Sequence, residues 1–144
     1  MGTIGYVKSN EEMLSHLKCV GRVLRKGGLY VIENFLLDWR NAFRKQTWKM
    51  RRKGIEVRAT YRLSLKNLIE QLAEEELVLE IKEKGKIRVL RELFTRKLIF
   101  PQEFLLLLEK SRMFEFIGFF EHTHEKIEKL KDGKILNYAV LRRK

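Results

Sequence analysis

One stretch constrains the fold of this chain more than any other: a capped amphipathic helix, halted by paired glycines and followed at once by a short apolar run. Ser9-Asn10-Glu11-Glu12 has the S-x-x-E pattern, in which the serine side chain accepts from the first helical amides and the glutamate returns a hydrogen bond. Met13, Leu14, Leu17, Val20 and Leu24 follow at helical spacing, and Arg22, Arg25 and Lys26 sit near the end whose dipole favours cations. Gly27-Gly28 stops the helix, and Leu29-Tyr30-Val31-Ile32 is short, apolar and partly β-branched. Such a run predicts a strand buried on both faces of a mostly parallel sheet. The whole stretch is an α/β unit.

Further along, periodicity changes repeatedly. From Phe35 to Lys53 aromatic and basic residues alternate irregularly, and the spacing of Trp39, Phe43 and Trp48 predicts an irregular helix covering a pocket. Gly54 to Tyr61 alternates apolar with polar residues, as a strand with one wet face does. Leu65, Leu68, Ile69 and Leu72 recur at helical spacing and predict a short helix. Leu77 to Glu83 and Lys86 to Ile99 are strand-like runs flanking Lys84-Gly85, where glycine can take the positive φ of a tight turn, so an antiparallel hairpin is expected. Pro101 suits a first helical turn, with Phe104, Leu105, Leu107 and Leu108 as the apolar face of a helix to Ser111. Phe114 to Phe120 and Ile135 to Leu141 complete the pattern as strands, with a charged stretch between them.

Composition narrows the class. At 144 residues and 44% hydrophobic content the chain has enough apolar material for one globular core, and no run approaches the length of a membrane span. The first residues lack a basic region followed by an apolar block, so a cytoplasmic protein is expected. A lone cysteine, Cys19, excludes an internal disulfide and reads as a small packed side chain. The formal net charge of +12 attracts anions, nucleic acid among them. The bland alternative is a set of solvated faces in a charge-rich, heat-adapted protein.

The order helix, Gly-Gly, strand, inserted β-hairpin, helix, strand, strand resembles the second half of the class I S-adenosylmethionine (SAM)-dependent methyltransferase fold. Gly2-Thr3-Ile4-Gly5-Tyr6 followed by Ser9-x-x-Glu12 is similar to the segment after the fourth strand of the sugar and glycine N-methyltransferases, where an F-S-T-I-G-Y stretch occurs. Leu24-Arg25-Lys26-Gly27-Gly28-Leu29-Tyr30 resembles the L-K-P-G-G motif before the fifth strand, with Lys26 where proline is usual. Pro101-Gln102-Glu103-Phe104, Phe114-Glu115-Phe116 and Asn137-Tyr138-Ala139-Val140-Leu141-Arg142 resemble the helix, the sixth strand and the seventh. The resemblance implies an α/β fold: the C-terminal half of a Rossmann-like methyltransferase sheet. Residues 1–34 and 100–144 would form the sheet portion and residues 35–99 an inserted, substrate-side antiparallel β-hairpin lobe, together one domain.

The family's glycine-rich G-x-G-x-G loop and the acidic residue that binds the ribose would both precede this region, and none of the nine glycines here forms such a loop. The chain therefore reads as a gene fragment, a truncated chain or one half of a split enzyme.

By the same resemblance, Gly2, Thr3, Ile4, Gly5 and Tyr6 would line the SAM site, since strand ends in open α/β sheets form the ligand crevice. The competing reading of Thr3 and Tyr6 is a plain turn. Glu33 and Asn34 end the strand after Gly28 and could hydrogen-bond an acceptor amine or hydroxyl; capping or simple exposure is the alternative. Trp39, Arg40, Tyr61 and Arg96 would belong to the substrate lobe, where aromatics pack on an acceptor and Arg binds an anionic group, although Trp39 more often would be core. No catalytic residue is assigned. Glu121-His122-Thr123-His124-Glu125 brings two histidines close, but two His alternating in a polar loop do not close a ligand set, so no metal is expected. His16 reads as a surface or packed residue. Three partners follow: the missing N-terminal half, a second copy attracted to an unpaired strand edge, and nucleic acid. A membrane is not among them. The alternative to an enzyme is a catalytically inactive basic nucleic-acid-binding or dimeric module of this fold.

Overall fold

Ser9 starts the first helix, α1 (Asn10–Val23), its Oγ accepting the Glu12 amide at 3.2 Å. The returning half of the cap is displaced by one residue, because the Glu12 carboxylate accepts the Lys8 amide at 2.8 Å and not that of Ser9. Gly27 follows the helix at φ +75°, a conformation that costs a residue with a Cβ, and releases the chain into β1 (Leu29–Glu33). The computed structural model describes residues 3–33, 43–122, 127–130 and 137–144, and its Cα packing divides the chain into two units: Met1–Asp38 with Lys97–Lys144, and Trp39–Arg96.

In the first unit β1 pairs antiparallel with β8 (Asn137–Arg143), with Val31 opposite Val140. β8 also pairs with β6 (Phe114–His122), and β6 with β7 (Ile127–Lys129), giving the order β1-β8-β6-β7. β7 lies in the charged stretch that showed no strand pattern. Every pairing described in this sheet is antiparallel, which corrects the expectation of a mostly parallel sheet. β1 is not buried on both faces either: Ile32 is buried, but Leu29 and Val31 are 57% and 54% exposed. The alternation of a pleated strand explains this, since the helices contribute their core residues to the face that holds Ile32.

That core joins Met13 and Leu17 of α1, Ile32, Phe114 of β6, Ala139 and Leu141 of β8, and Phe104 and Leu108 of the second helix, α2 (Pro101–Ser111). Pro101 stands in the first turn of α2, where its missing amide costs nothing. Ser111 closes the helix by donating to the Leu108 carbonyl at 2.7 Å and accepting the Met113 amide at 3.2 Å. Arg143 takes the cationic role at the end of α1. Its Nε donates to the Gly21 carbonyl and its Nη1 to the Met113 carbonyl at 3.0 Å, joining α1, the start of β6 and the end of β8. Cys19, expected to pack, is exposed, because it lies two residues beyond Leu17 and so off the buried stripe.

The second unit is a four-stranded antiparallel sheet in the order β2-β3-β4-β5, with β2 at Gln46–Arg52, β3 at Ile55–Asn67, β4 at Leu72–Glu83 and β5 at Lys86–Lys97. Two expectations fail here. Residues 46–52, read as part of an irregular helix, form a strand exposed along its length; Trp48 faces Ala59 across the β2–β3 pair. Residues 65–72 hold no helix: Leu65 ends in β3, Leu72 begins β4, and Leu68 and Ile69 project from the turn between them. One turn of helical spacing cannot offset the cost of helix nucleation. Asn67 settles the alternative by accepting the Glu70 amide on Oδ1 at 3.0 Å, and Gln71 closes the turn at φ +52°. Lys84-Gly85 forms the expected hairpin turn, with φ of +47° and +76°. No helix among the described residues is long and apolar enough to cross a membrane, which does not bear on strands.

Candidate functional site

Two separate groups of polar residues emerge, one in each unit. In the first, residues Thr3–Tyr6 form a single 3₁₀ turn, closed by the Val7 amide donating to the Ile4 carbonyl at 3.3 Å. The turn anchors itself through Ile4, which joins the same buried cluster as Ile32, Met13 and Leu17. Ile4 is therefore a packing residue, while Thr3 and Tyr6 remain exposed. Glu33, half-buried, follows Ile32 at the end of β1 and stands opposite Tyr138 of β8. Ile4 of the turn and Ile32, the residue before Glu33, belong to one buried cluster. Gly2, Asn34, Trp39 and Arg40 lie outside the described residues, as does most of the two-histidine stretch; among the described residues no group of His, Cys, Asp or Glu could hold a metal.

SAM is a nucleoside bearing a sulfonium and an amino-acid group, and a ligand of that size needs a concave site that buries most of it. Thr3 and Tyr6 offer an exposed edge and Ile4 a side chain already committed to the core, so the described residues of this turn do not make a SAM site by themselves.

The first unit also holds a coupled pair. His16 of α1 and Tyr30 of β1 meet at 2.7 Å between Nε2 and Oη, and Tyr30 also packs its ring near Phe114, 6.0 Å between centroids. Burial holds the His16 imidazole below its ordinary pKa and raises that of the Tyr30 phenol. The half-buried pair ties α1 to β1, with Tyr30 leaning on Phe114.

In the second unit Tyr61 and Arg96 come together through a residue that sequence reasoning missed. Glu75 of β4 pairs with Arg96 at 3.2 Å, both side chains largely buried, and the Tyr61 phenol lies close enough to feel the charges of both. Burial raises the Tyr61 pKa, and the Glu75 carboxylate adds to the effect. The register explains the meeting: Tyr61 pairs with Leu77 and Leu63 with Glu75, so Tyr61 and Glu75 share a sheet face. The available signal was Glu74-Glu75-Glu76. In a strand only the middle residue of three consecutive acids turns to the face opposite its neighbours, and here that face carries Ala59, Leu63 and Ala73, all buried.

No protein-family model and no curated protein matches the sequence. Solved structures do match. A SAM-dependent methyltransferase from Clostridium acetobutylicum ATCC 824 superposes on 99% of this chain and 55% of its own, with a TM-score of 0.76 at 9% identity. CalS10, an amino pentose methyltransferase from Micromonospora echinaspora involved in calicheamicin biosynthesis and solved with SAM bound, covers the whole chain and 56% of itself, with a TM-score of 0.76 at 12% identity. KedS8, a sugar N-methyltransferase from Streptoalloteichus sp ATCC 53650, covers the whole chain and 54% of itself, with a TM-score of 0.72 at 17% identity. The chain has the fold of the SAM-dependent methyltransferases, as its motifs implied. It spans about half the length of the structures it matches, in keeping with a C-terminal half.

Proposed function

We propose that this chain is the C-terminal, acceptor-side part of a SAM-dependent methyltransferase acting on a small molecule. The observation that carries the reading is the superposition of essentially the whole chain on slightly more than half of several such enzymes. At these identities the likeness is one of fold, and the activity rests on the site residues. Methyl transfer from a sulfonium asks the protein chiefly to align the acceptor and exclude water. Glu33 would accept a hydrogen bond from an acceptor amine or hydroxyl, and Thr3 and Tyr6 would wall the same crevice. Within the inserted sheet by itself, Tyr61 and the Arg96–Glu75 pair offer a ring and a guanidinium of the kind that suit an acceptor. Two of the structures named above are a sugar N-methyltransferase and an amino pentose methyltransferase, and a hydroxyl- or amine-bearing sugar suits this polar set.

The glycine-rich loop must come from a polypeptide outside these 144 residues. The test is to read the DNA immediately upstream of the Met1 codon for a segment encoding G-x-G-x-G, to produce the two segments together, and to follow methyl transfer from labelled SAM to amino sugars. Transfer that requires both segments and falls at least tenfold with Glu33→Gln supports the proposal. A folded joint protein that transfers no methyl group and binds no S-adenosylhomocysteine contradicts it.

A further inference from the structure

The second unit carries a charged surface for which methyl transfer has no use. The β2–β3 and β4–β5 hairpins turn at the same end of the sheet, since Glu56 pairs with Lys82 and Val57 with Ile81. With strands about 4.8 Å apart, the two turns stand roughly 10 Å from one another. Arg51, Arg52 and Lys53 crowd the first turn, and Lys84, Lys86 and Arg88 the second; all are exposed, and Glu56 and Glu83 are the nearest acids in sequence. No described carboxylate forms an ion pair with any of the six. Elsewhere in the same sheet Arg58 pairs with Glu80, Arg91 with Glu76 and Arg96 with Glu75, while Arg62 stands exposed without an ion pair among the described residues.

Lysine and arginine commonly guard edge strands against aggregation. That explanation would spread them along β2 and β5. That role fits the cations spread along β5, such as Arg91, but not Lys53 and Lys84, which lie in turns where no ladder is left to protect. The turns themselves, Arg52-Lys53-Gly54 and Glu83-Lys84-Gly85, hold no large apolar side chain to enter a bilayer. Alternation puts Trp48, Met50 and Arg52 on one face of β2, with Trp48 42% exposed. The indole stands on the face that carries Arg52, about 13 Å along the strand from it, so one short single strand could stack a base there while its phosphates meet the turns.

We infer that this end of the inserted sheet binds single-stranded nucleic acid, through phosphate contacts from the two hairpin turns and base stacking on Trp48. This interaction is separate from methyl transfer and stands whether or not the chain belongs to an active enzyme.

A protein of this net charge attracts any polyanion, so the experiment must separate local from global charge. Fluorescence anisotropy with a labelled single strand of about 12 nucleotides suits a site of this size. With roughly four phosphates engaged, affinity should fall on the order of 50-fold between 50 and 200 mM salt. Arg52→Glu, Lys84→Glu and Lys86→Glu together should lower affinity at least ~20-fold and flatten the salt slope by about two. Arg22→Glu, Lys26→Glu and Lys110→Glu in the first unit change net charge equally and should cost less than about threefold. Trp48→Ala should weaken binding to the single strand while leaving duplex binding unchanged. The corresponding glutamine substitutions at 52, 84 and 86 provide a milder set should the reversals unfold the protein, and thermal melts verify folding. Equal losses in the two charge-reversal sets would overturn the inference. So would retained strand affinity accompanied by lost binding to phosphatidylserine vesicles.

Discussion

Gly21 shows how one residue can matter for a reason no pattern discloses. A Cβ built there would lie 2.7 Å from the Met113 Cβ, so α1 approaches the start of β6 closely only because this side chain is absent. Helix propensity alone favours Gly21→Ala. The structure predicts the opposite sign: a loss of about 1–3 kcal/mol from overpacking, read as an earlier urea midpoint with unchanged slope. His16 is a second case. Its surface or packed character was legible, but its partner Tyr30 was not, since fourteen residues separate them. Burial lowers the folded-state pKa of His16, so the unfolded chain binds the proton first as pH falls. Stability from the neutral ring is complete above about pH 6.5 and is lost as pH falls from there towards the lowered folded value. His16→Gln should therefore shrink the difference between urea midpoints at about pH 7.5 and pH 5. An unchanged difference would assign the pH dependence to other groups.

At the scale of elements, what was legible was whatever rests on local chemistry. Ser9, Pro101 and Lys84-Gly85 each act through the backbone within a few residues, and each does what its sequence implies; the helix itself ends at Val23, so Gly27-Gly28 shape the turn after it and not its stop. The misreadings came where apolar spacing was asked to decide between helix and strand over a short span. Leu65 to Leu72 fits a helix by spacing, yet the chain turns there because Asn67 satisfies an amide locally. Residues 43–53 contained a usable clue: Lys53-Gly54 repeats the dipeptide Lys84-Gly85, and both adopt paired positive φ, +48° and +80° in the first case. That geometry is the mirror-image turn that matches the twist of flanking strands. Gly85→Ala should cost about 1–2 kcal/mol through the left-handed conformation alone, since open space surrounds the position. A melting temperature unchanged by that substitution would show that the turn relaxes at no cost.

For the molecule as a whole, the ordered set of motifs carried the fold, and the polar cluster of the second unit was only partly visible. Glu75 links Tyr61 to Arg96 through cross-strand register, which an unaligned sequence does not display. The exposed face of β1 carries the larger consequence. Leu29 and Val31 stand more than half exposed on a strand whose outer edge pairs with no described residue. A second layer that buries them would come from the remainder of a methyltransferase fold. Val31→Lys should leave the melting temperature of these 144 residues within about 2 °C, as a surface substitution does, and should abolish their association with a segment bearing the glycine-rich loop. Equal stability and undiminished association would place that contact elsewhere.

The central claim, that this chain supplies the acceptor side of a SAM-dependent enzyme and depends on another segment for the cofactor, is tested most directly by calorimetric titration with S-adenosylhomocysteine. The account predicts no saturable heat from the 144 residues alone and micromolar binding once the glycine-rich segment is joined to them. Micromolar binding by the chain alone, or none by the joined protein, would contradict it.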